Sequence, residues 1–301
     1  MGLLALFRRS GDWMPKGFDV TTRWLESTLE VARWEHMRRA GRRWGWWGGA
    51  LGGLVGVSLF APASWLASAV SAATQQRFIL AEAEGTVWSG SAVMVLTGGS
   101  GSRDARALPG RTFWTLRPKG LALAMNLSQD CCMQAPVTLL LQPGWAQLTA
   151  TVQTSDTAGL GRVGEWPAAW LGGLGTPFNT LQLGGVMNLS AQGVQWRWAK
   201  GRMALQGQVQ LTLSHVSSRV TTLPELGSYR LSLIGQGDGP MNLLMQTDQG
   251  ALQLSGAGAV GAFGVRFRGE ATATAADRPA LNNLLNIIGR RTGDRSVISI
   301  G

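Results

Sequence analysis

The residues of this sequence that could do chemistry are few and far apart. His215 is one of only two histidines in the chain. Glu82 and Glu84 lie two residues apart, so both carboxylates would face one side of a strand, where paired carboxylates can transfer protons. A nucleophilic hydrolase needs a base beside its nucleophile, and no Gly-x-Ser-x-Gly motif occurs. We therefore interpret His215 as a residue satisfied within the fold, either buried or at a strand end, and the glutamates as part of a solvated face.

Two further patterns could hold a cofactor or carry redox chemistry. Gly256, Gly258 and Gly261 match the dinucleotide-binding pattern, which must join a parallel strand to a helix. Here they join the strand-like segments ALQLS and GVRFRGE, so a turn between antiparallel strands is the better interpretation. Cys131 and Cys132 are adjacent, and a disulfide between neighbours closes a strained ring. Two free thiols at a strand edge or in a loop are favoured, with a vicinal disulfide as the alternative, and neither a metal nor a cofactor is expected.

These residues lie in a region with the two-residue period of β-strands. In RMALQGQVQLTLSHV the apolar residues occupy odd positions from Met203 to Leu213, and most of the residues between them are polar. GVRFRGEATATA repeats the pattern from Val265 to Ala273. Clean alternation is typical of an antiparallel sheet with one solvated face.

Helices are predicted at only two places in the strand region. One is near Glu165–Leu171. The other is near the C-terminus, where Asp277 can cap a helix and Pro279 suits its first turn. The apolar residues of this second helix recur at helical spacing: Leu281, Leu284, Leu285 and Ile288. Composition is continuous over residues 77–301, so the sequence predicts a mainly β fold, a large curved antiparallel sheet or open β-roll with one or two short helices.

An uncharged segment precedes the strand region. The 33 residues between Arg43 and Arg77 carry no charge. Tryptophans mark both ends of its most apolar part. As a helix, the stretch from Trp47 to Trp65 would span about 27 Å, close to the ~30 Å thickness of the hydrocarbon layer of a membrane. This pattern predicts a membrane-spanning helix with indoles at both headgroup levels.

The flanking charges predict how that helix is oriented. Basic residues crowd the N-terminal side, and positive flanks stay in the cytoplasm. We therefore predict a cytoplasmic basic arm over residues 1–43, helical from Asp19 to Arg43, a transmembrane helix over residues 44–70 and an exported β-rich domain over residues 71–301. The alternative is a cleaved leader, because residues 67–69 read Ala-Ser-Ala, like a cleavage site.

Small residues recur within the predicted span at a spacing that lets two helices approach closely. Gly48, Gly52 and Gly56 are four residues apart, which favours association with another helix. The predicted anchor residues are these three glycines and three tryptophans: Trp44, Trp47 and Trp65.

Three stretches, taken in order, resemble one family of secretion proteins. They are FILAEAEGTVWSGSAVMVLTG (Phe78–Gly98), LPGRTFWTLRP (Leu108–Pro118) and LNNLLNIIGRRTGDRSVISIG (Leu281–Gly301). Together they resemble type II secretion system protein N, also called general secretion pathway protein N, over about residues 45–301; the long N-terminal arm departs from the family. The resemblance implies a single-pass (bitopic) inner-membrane protein of Gram-negative bacteria, with its N-terminus in the cytoplasm and a periplasmic β-rich domain.

The resemblance also implies a role and a set of structural positions. It implies a non-catalytic accessory component of the machine that exports folded proteins across the outer membrane, and it carries no catalytic residues over. Gly85, Trp88 and Gly90 match the family signature; a glycine pair around a tryptophan suits a tight bend that seats an indole in the core. Arginines in the tail could contact partner subunits or could be ordinary solvated charges: Arg290, Arg291 and Arg295.

Several classes of partner and function remain to be weighed. The expected partners are other inner-membrane and periplasmic subunits of the secretion machine, together with the membrane. The net charge of +10 comes without a dense basic stripe, so nucleic acid is not expected, nor is a small-molecule substrate. The alternative function is a membrane-anchored periplasmic carrier of a hydrophobic ligand, such as a lipid, in the groove of a curved sheet. An enzyme is the least favoured class.

Overall fold

The structure is a computed structural model. It describes five stretches of the chain: residues 44–154, 159–199, 201–237, 239–261 and 264–301. The chain divides into two compact units, Met1–Leu59 and Phe60–Gly301. The predicted cytoplasmic arm, including its helix from Asp19 to Arg43, lies outside the described residues.

The described part of the first unit is a single helix. Residues 44–59 are α-helical, and we call this segment α1. Among the residues that the structure describes, no helix has both the length and the apolarity needed to cross a membrane.

The single helix predicted over residues 44–70 is wrong in one respect, because the helix is interrupted. Helical structure ends at residue 59, and Pro62 has extended backbone at φ −68° and ψ 149°. A proline disfavours helical backbone in the residue before it, which accounts for the break. Pro62 instead forms an isolated antiparallel bridge with Thr86. A second helix, α2, then spans Ala63–Ala73 within the second unit.

The described residues of the second unit form one antiparallel sheet of 16 strands. The first eight strands are β1 (Phe78–Gly85), β2 (Ser89–Thr97), β3 (Ala105–Ala107), β4 (Thr112–Lys119), β5 (Ala122–Gln129), β6 (Val137–Gly144), β7 (Gln147–Gln153) and β8 (Gly161–Pro167). The second eight are β9 (Leu183–Ala199), β10 (Arg202–Ser218), β11 (Gly227–Gly237), β12 (Met241–Gln249), β13 (Leu252–Gly261), β14 (Gly264–Ala273), β15 (Arg290–Thr292) and β16 (Arg295–Ile300). Between them lie a 3-10 helix (Ala168–Leu174), α3 (Phe178–Leu181) and α4 (Arg278–Ile288).

The strand order follows the chain closely. It runs β1-β2-β4-β5-β6-β7-β9-β10-β11-β12-β13-β14-β16-β15, with β3 also paired to β2 and β8 also paired to β9. The order is that of an open sheet, whose terminal strands are β1 and β15. The prediction of a mainly β fold with a large antiparallel sheet and few helices is confirmed.

The cross-strand register gathers the apolar residues on one face of the sheet. Leu211 of β10 lies opposite Leu189 of β9 on one side and Leu231 of β11 on the other. Met125 of β5 likewise lies opposite Leu139 of β6. Because side chains alternate between faces with a period of two, this register continues one apolar face from strand to strand.

Two helices pack at opposite ends of the strand order. α2 packs on β1 and β2, where Ala63 is buried in a cluster with Ala92 and Trp114. α4 packs on β14, β15 and β16 and buries the residues that the helical spacing had indicated: Leu281, Leu284 and Leu285.

The two helix predictions in the strand region have different outcomes. α4 starts after Asp277, with proline in its first turn as predicted, although the Asp277 side chain makes no capping hydrogen bond. The helix predicted over Glu165–Leu171 is wrong at its start. Residues up to Pro167 belong to β8, and Trp166 pairs with Met187 of β9, so the 3-10 helix begins only at Ala168.

Candidate functional site

The alternating pattern of the sequence places His215 on the apolar face of its strand, but in the structure its side chain does not lie there. The register of β10 and β11 shifts between Leu213 and Val216, and His215 takes the left-handed conformation with φ +52°. The bulge turns its side chain outward, where Nδ1 lies 3.1 Å from a carboxylate oxygen of Glu225. The histidine is therefore satisfied near a strand end, as predicted, but it is exposed rather than buried.

The two glutamates of β1 are held by one arginine. Arg111 approaches Glu82 and Glu84 at 3.3 Å each, and it also donates to the Glu82 carbonyl at 2.7 Å. Both carboxylates are exposed, and a bulge in β1 lies between Ala81 and Glu84. This clamp, which ties β1 to the start of β4, is a structural use of the carboxylates. In the described stretches, no group of three or more His, Cys, Asp or Glu residues could hold a metal ion.

The cysteines differ from the favoured prediction. Cys131 and Cys132 form a disulfide, so the free-thiol interpretation is wrong; the sequence places the two sulfurs together but does not report their oxidation state. The pair lies in the loop between β5 and β6, as predicted. The Cys132 carbonyl accepts a hydrogen bond from the Glu165 backbone at 2.7 Å, which ties this loop to β8.

The two segments around the glycine triplet form an antiparallel pair, as predicted, but the glycines lie within a strand rather than in the turn. Gly256, Gly258 and Gly261 lie in β13, which pairs with β14 residue by residue. A Cβ atom at Gly256 would lie 2.4 Å from the ring of Phe267. The glycine therefore makes room for a buried aromatic side chain.

The signature glycines lie where β1 meets β2, and Gly90 makes room for a different tryptophan from the one predicted. Gly85 has φ +87°, and it lies opposite Gly90 where β1 and β2 meet. A Cβ atom at Gly90 would lie 2.6 Å from the ring of Trp114. Trp114 is buried and donates from Nε1 to the Val87 carbonyl at 3.1 Å, whereas Trp88 is only half-buried.

Trp114 is the residue that sequence reasoning missed. It stands next to Phe113 in LPGRTFWTLRP, and adjacent aromatic residues on a strand must face opposite sides. Nothing in that stretch alone says which ring is inside. The usable signal is the glycine at position 90, because a glycine opposite an aromatic residue leaves the space that a large ring needs.

The predicted tail contacts fall in one short hairpin, β15–β16. Arg291 donates to the Asn282 side chain at 3.1 Å, and Arg295 donates to Glu270 at 3.0 Å. Arg290 is exposed on the terminal strand β15. The structure brings the three arginines together, and their role in binding a partner stays a prediction.

The predicted anchor residues fall in both units. Five of them lie in α1: Trp44, Trp47, Gly48 and Gly52, which are exposed, and Gly56, which is half-buried. A Cβ atom at any of these three glycines would meet nothing within 4 Å. Trp65 instead lies in α2, in the second unit.

The sheet has two unlike margins. The hairpin margin is formed by the ends of the β4–β5, β6–β7 and β9–β10 hairpins, in which Lys119 pairs with Ala122, Gly144 with Gln147, and Ala199 with Arg202. The loop margin is formed by the longer connections at the other ends of the strands: residues 98–111, 130–136, 168–182, 219–226 and 274–294.

The fold and these surfaces define a mainly β protein built on one open antiparallel sheet. A family model described as "Type II secretion system (T2SS), protein N" matches residues 76–298. The chain therefore belongs to the family of type II secretion system protein N, which confirms the resemblance of the three sequence stretches and identifies a component of type II secretion. No curated protein and no solved structure matches the chain.

Proposed function

We propose that the protein is a non-catalytic accessory component of the type II secretion machinery, anchored in the inner membrane and working through periplasmic protein–protein contacts. The observation that carries this proposal is the family match over residues 76–298. The site geometry supports it, because the histidine and the paired carboxylates make contacts within the fold. The expected partners are inner-membrane and periplasmic subunits of the same machine.

The anchor in this proposal is α1 rather than the whole stretch of residues 44–70. At about 24 Å, α1 is shorter than the ~30 Å hydrocarbon layer, and local thinning of the bilayer accommodates the difference. α1 is uncharged, and Arg42 and Arg43 precede it, which favours a cytoplasmic N-terminus. Its apolar side chains, such as Leu51 and Leu54, are exposed. The glycine face of α1 suits close packing against a helix of another subunit. The periplasmic domain then begins at Phe60.

Paired arginine substitutions test the extent of the anchor. We expect Leu54→Arg in α1 to reduce membrane insertion, because a central arginine costs about 2.5–3.5 kcal/mol. Ala69→Arg is the control, since Ala69 is exposed on α2 and lies beyond the proposed anchor. Membrane fractionation after carbonate extraction measures both variants. Normal membrane insertion of the Leu54→Arg variant would contradict the proposal that α1 is the anchor.

The partner contact in this proposal is the terminal strand β15. A terminal strand has unpaired backbone groups, to which an extended segment of another protein can add. Each terminal strand has a helix packed on it, α2 on β1 and α4 on β15, but β15 also presents the exposed Arg290. A cationic edge favours a partner segment with acidic side chains.

Crosslinking in intact cells tests this contact. A photo-reactive amino acid at position 290 should capture a named subunit of the secretion machine, identified by mass spectrometry. The same amino acid at position 219, an exposed arginine in the β10–β11 loop, is the matched control. Two results together would overturn the proposed function: no secretion subunit captured at either position, and normal export in a deletion strain.

One observation favours the second candidate function, a carrier of a hydrophobic ligand. α2 and α4 pack at the two ends of the strand order, while apolar side chains of the middle strands stay partly exposed, including Leu211, Leu231 and Leu243. A partly exposed apolar face can accept an acyl chain.

Native mass spectrometry of the detergent-purified full chain separates the two functions. The carrier predicts a co-purifying lipid that is lost in Leu211→Asp and kept in Gln210→Asp, because neighbouring residues of a strand face opposite sides. Circular dichroism of both variants checks that the sheet is retained. A chain that never carries lipid would exclude the carrier and leave the accessory role.

A further inference from the structure

Among the residues of the β-sheet unit that the structure describes, the two most exposed large apolar side chains lie on neighbouring hairpin turns. Trp145, in the β6–β7 turn, is 100% exposed, and Leu121, in the β4–β5 turn, is 96% exposed. These hairpins are neighbours in the strand order, so their turns lie roughly 10 Å apart, two strand spacings. Each turn therefore projects one large apolar side chain from the same margin.

A row of apolar residues lies directly behind the turns. Leu148 pairs with Trp198, and Trp198 pairs with Met203. All three side chains are between 40% and 46% exposed. They line a shallow open depression of about 360 Å³. The apolar character of the turns thus continues into the first row of the sheet.

The charges of this margin have one sign. Arg117, Lys119 and Arg202 flank the turns and are exposed. The sequences of the three hairpin ends, residues 117–123, 142–148 and 197–203, contain no aspartate or glutamate. Five carboxylates of the connections lie at the loop margin: Asp104, Asp130, Glu225, Asp277 and Asp294. The hairpin margin therefore complements an anionic surface.

The chain enters the β-sheet unit on the side of this margin. The Val87 backbone donates to the Ala61 carbonyl at 2.9 Å, and Leu116 donates to the Trp88 carbonyl at 2.6 Å. Four residues of β4 then lead from Leu116 to the turn at Gly120, about 13 Å of strand. The first residues of the β-sheet unit therefore lie on the side of the hairpin margin.

We propose that the hairpin margin docks on the lipid surface, with Leu121 and Trp145 inserted at the headgroup level and the flanking cations on anionic headgroups. Tryptophan prefers this interfacial region, and apolar insertion combined with cationic contacts is how interfacial elements bind membranes. Two separate turns fit a deformable lipid surface better than a protein interface, which buries about 1,000 Å² or more in total. The inference rests on the proposed membrane anchoring, and its test separates the two.

The test uses the full chain reconstituted in vesicles of phosphatidylethanolamine and phosphatidylglycerol. Four variants, each with one added cysteine, receive an environment-sensitive fluorophore without reductant, so that the Cys131–Cys132 disulfide stays unlabelled. They are Leu54→Cys, Leu121→Cys, Trp145→Cys and Thr222→Cys; Thr222 is exposed at the loop margin. Spin-labelled lipids quench a label in the bilayer, and aqueous iodide quenches a label in water.

We expect lipid quenching at positions 54, 121 and 145, and iodide quenching at position 222. Iodide quenching at 121 and 145, with lipid quenching retained at 54, would overturn the docking and leave the anchor. Iodide quenching at 54 would overturn the anchor itself. Lipid quenching at 222 equal to that at 121 would overturn the assignment of the docking margin. Protection of 121 and 145 only after a secretion subunit is added would replace the lipid by a protein partner.

A charge test adds specificity for anionic lipid. Replacing phosphatidylglycerol by phosphatidylcholine, or introducing Lys119→Gln, should weaken lipid quenching at position 121, by about fivefold per cation contact near the surface. Thr222→Gln is the matched control and should change nothing. Equal quenching in both lipid mixtures would contradict the electrostatic part of the docking.

Discussion

The two margins of the sheet differ in what their side chains do for the fold. At the loop margin, long connections and α4 close over a core cluster that includes Leu181, Leu226 and Leu284, and ion pairs such as Arg278–Asp294 tie the connections down. At the hairpin margin, short turns leave Leu121 and Trp145 exposed. Stability is therefore concentrated at the loop margin, while the hairpin margin presents apolar groups that folding does not use. Substitutions should therefore affect stability at the loop margin and binding at the hairpin margin.

The largest expected effect comes from one substitution made at both margins. Leu284 of α4 is 1% exposed, so Leu284→Ala removes buried methyl groups, leaves a cavity and should destabilise the domain by about 2–5 kcal/mol. The same change at Leu121 removes contacts with solvent only and should stay within about 0.5 kcal/mol. Urea unfolding followed by circular dichroism in detergent measures both. Equal losses of unfolding free energy in the two variants would contradict the proposed difference between the margins.

The next largest effect is expected at Gly90, in the region where α2 packs on the sheet. Gly90→Ala would place a Cβ atom 2.6 Å from the Trp114 ring and 2.5 Å from the Glu84 carbonyl. Backbone is in the way, so we expect a loss of about 1–3 kcal/mol, the usual cost of overpacking. Gly239→Ala is the control, because a Cβ atom there meets nothing within 4 Å. An unchanged unfolding midpoint for Gly90→Ala would contradict the role of Gly90 as the space for Trp114.

Much of the fold, but little of the candidate site, could be predicted from the sequence. Alternation of the kind seen from Met203 to Leu213 is a local signal, so strands and their apolar face could be predicted, as could the buried leucines of α4. The bulge that turns out His215, the burial of Trp114 and the pairing of β8 with β9 depend on residues far apart in the chain. The sequence shows a proline at position 62, but the composition is apolar on both sides of it, so the break in the helix was not predicted. The hairpin margin could not be predicted, because only the strand register shows that its three turns lie side by side.

A smaller effect, with a defined pH dependence, belongs to the loop-margin cluster. Burial, and then nearby Glu225, raise the pKa of Tyr229 well above its ordinary value of 10.0. Its hydroxyl donates to the Leu252 carbonyl at 3.1 Å. In the unfolded chain the phenol ionises near pH 10, while in the folded chain it stays neutral, so the unfolded state releases a proton first. The contribution of Tyr229 to the free energy of unfolding is therefore complete below about pH 10, and above that pH it falls by about 1.4 kcal/mol per pH unit.

Alkaline unfolding measures this effect cleanly, because Tyr229 is the only tyrosine of the chain. Its phenolate absorbance should appear together with unfolding rather than before it. Tyr229→Phe should cost about 1 kcal/mol at neutral pH through the lost hydrogen bond and should lose this part of the alkaline dependence. Phenolate absorbance in a still-folded chain near pH 10 would show that the hydroxyl is not protected.

The smallest expected effect on stability is the most informative about the hairpin margin. Trp145 is fully exposed, so Trp145→Ser removes no packing and should change the free energy of unfolding by no more than about 0.5 kcal/mol. A large side chain that folding does not need remains exposed to water at a free-energy cost unless something else covers it. Thus an unchanged unfolding midpoint, together with weakened lipid quenching at position 121, is the result expected of a binding side chain. A loss of stability comparable to that of Leu284→Ala would mean that Trp145 packs within the folded chain, and the two margins would then share one role.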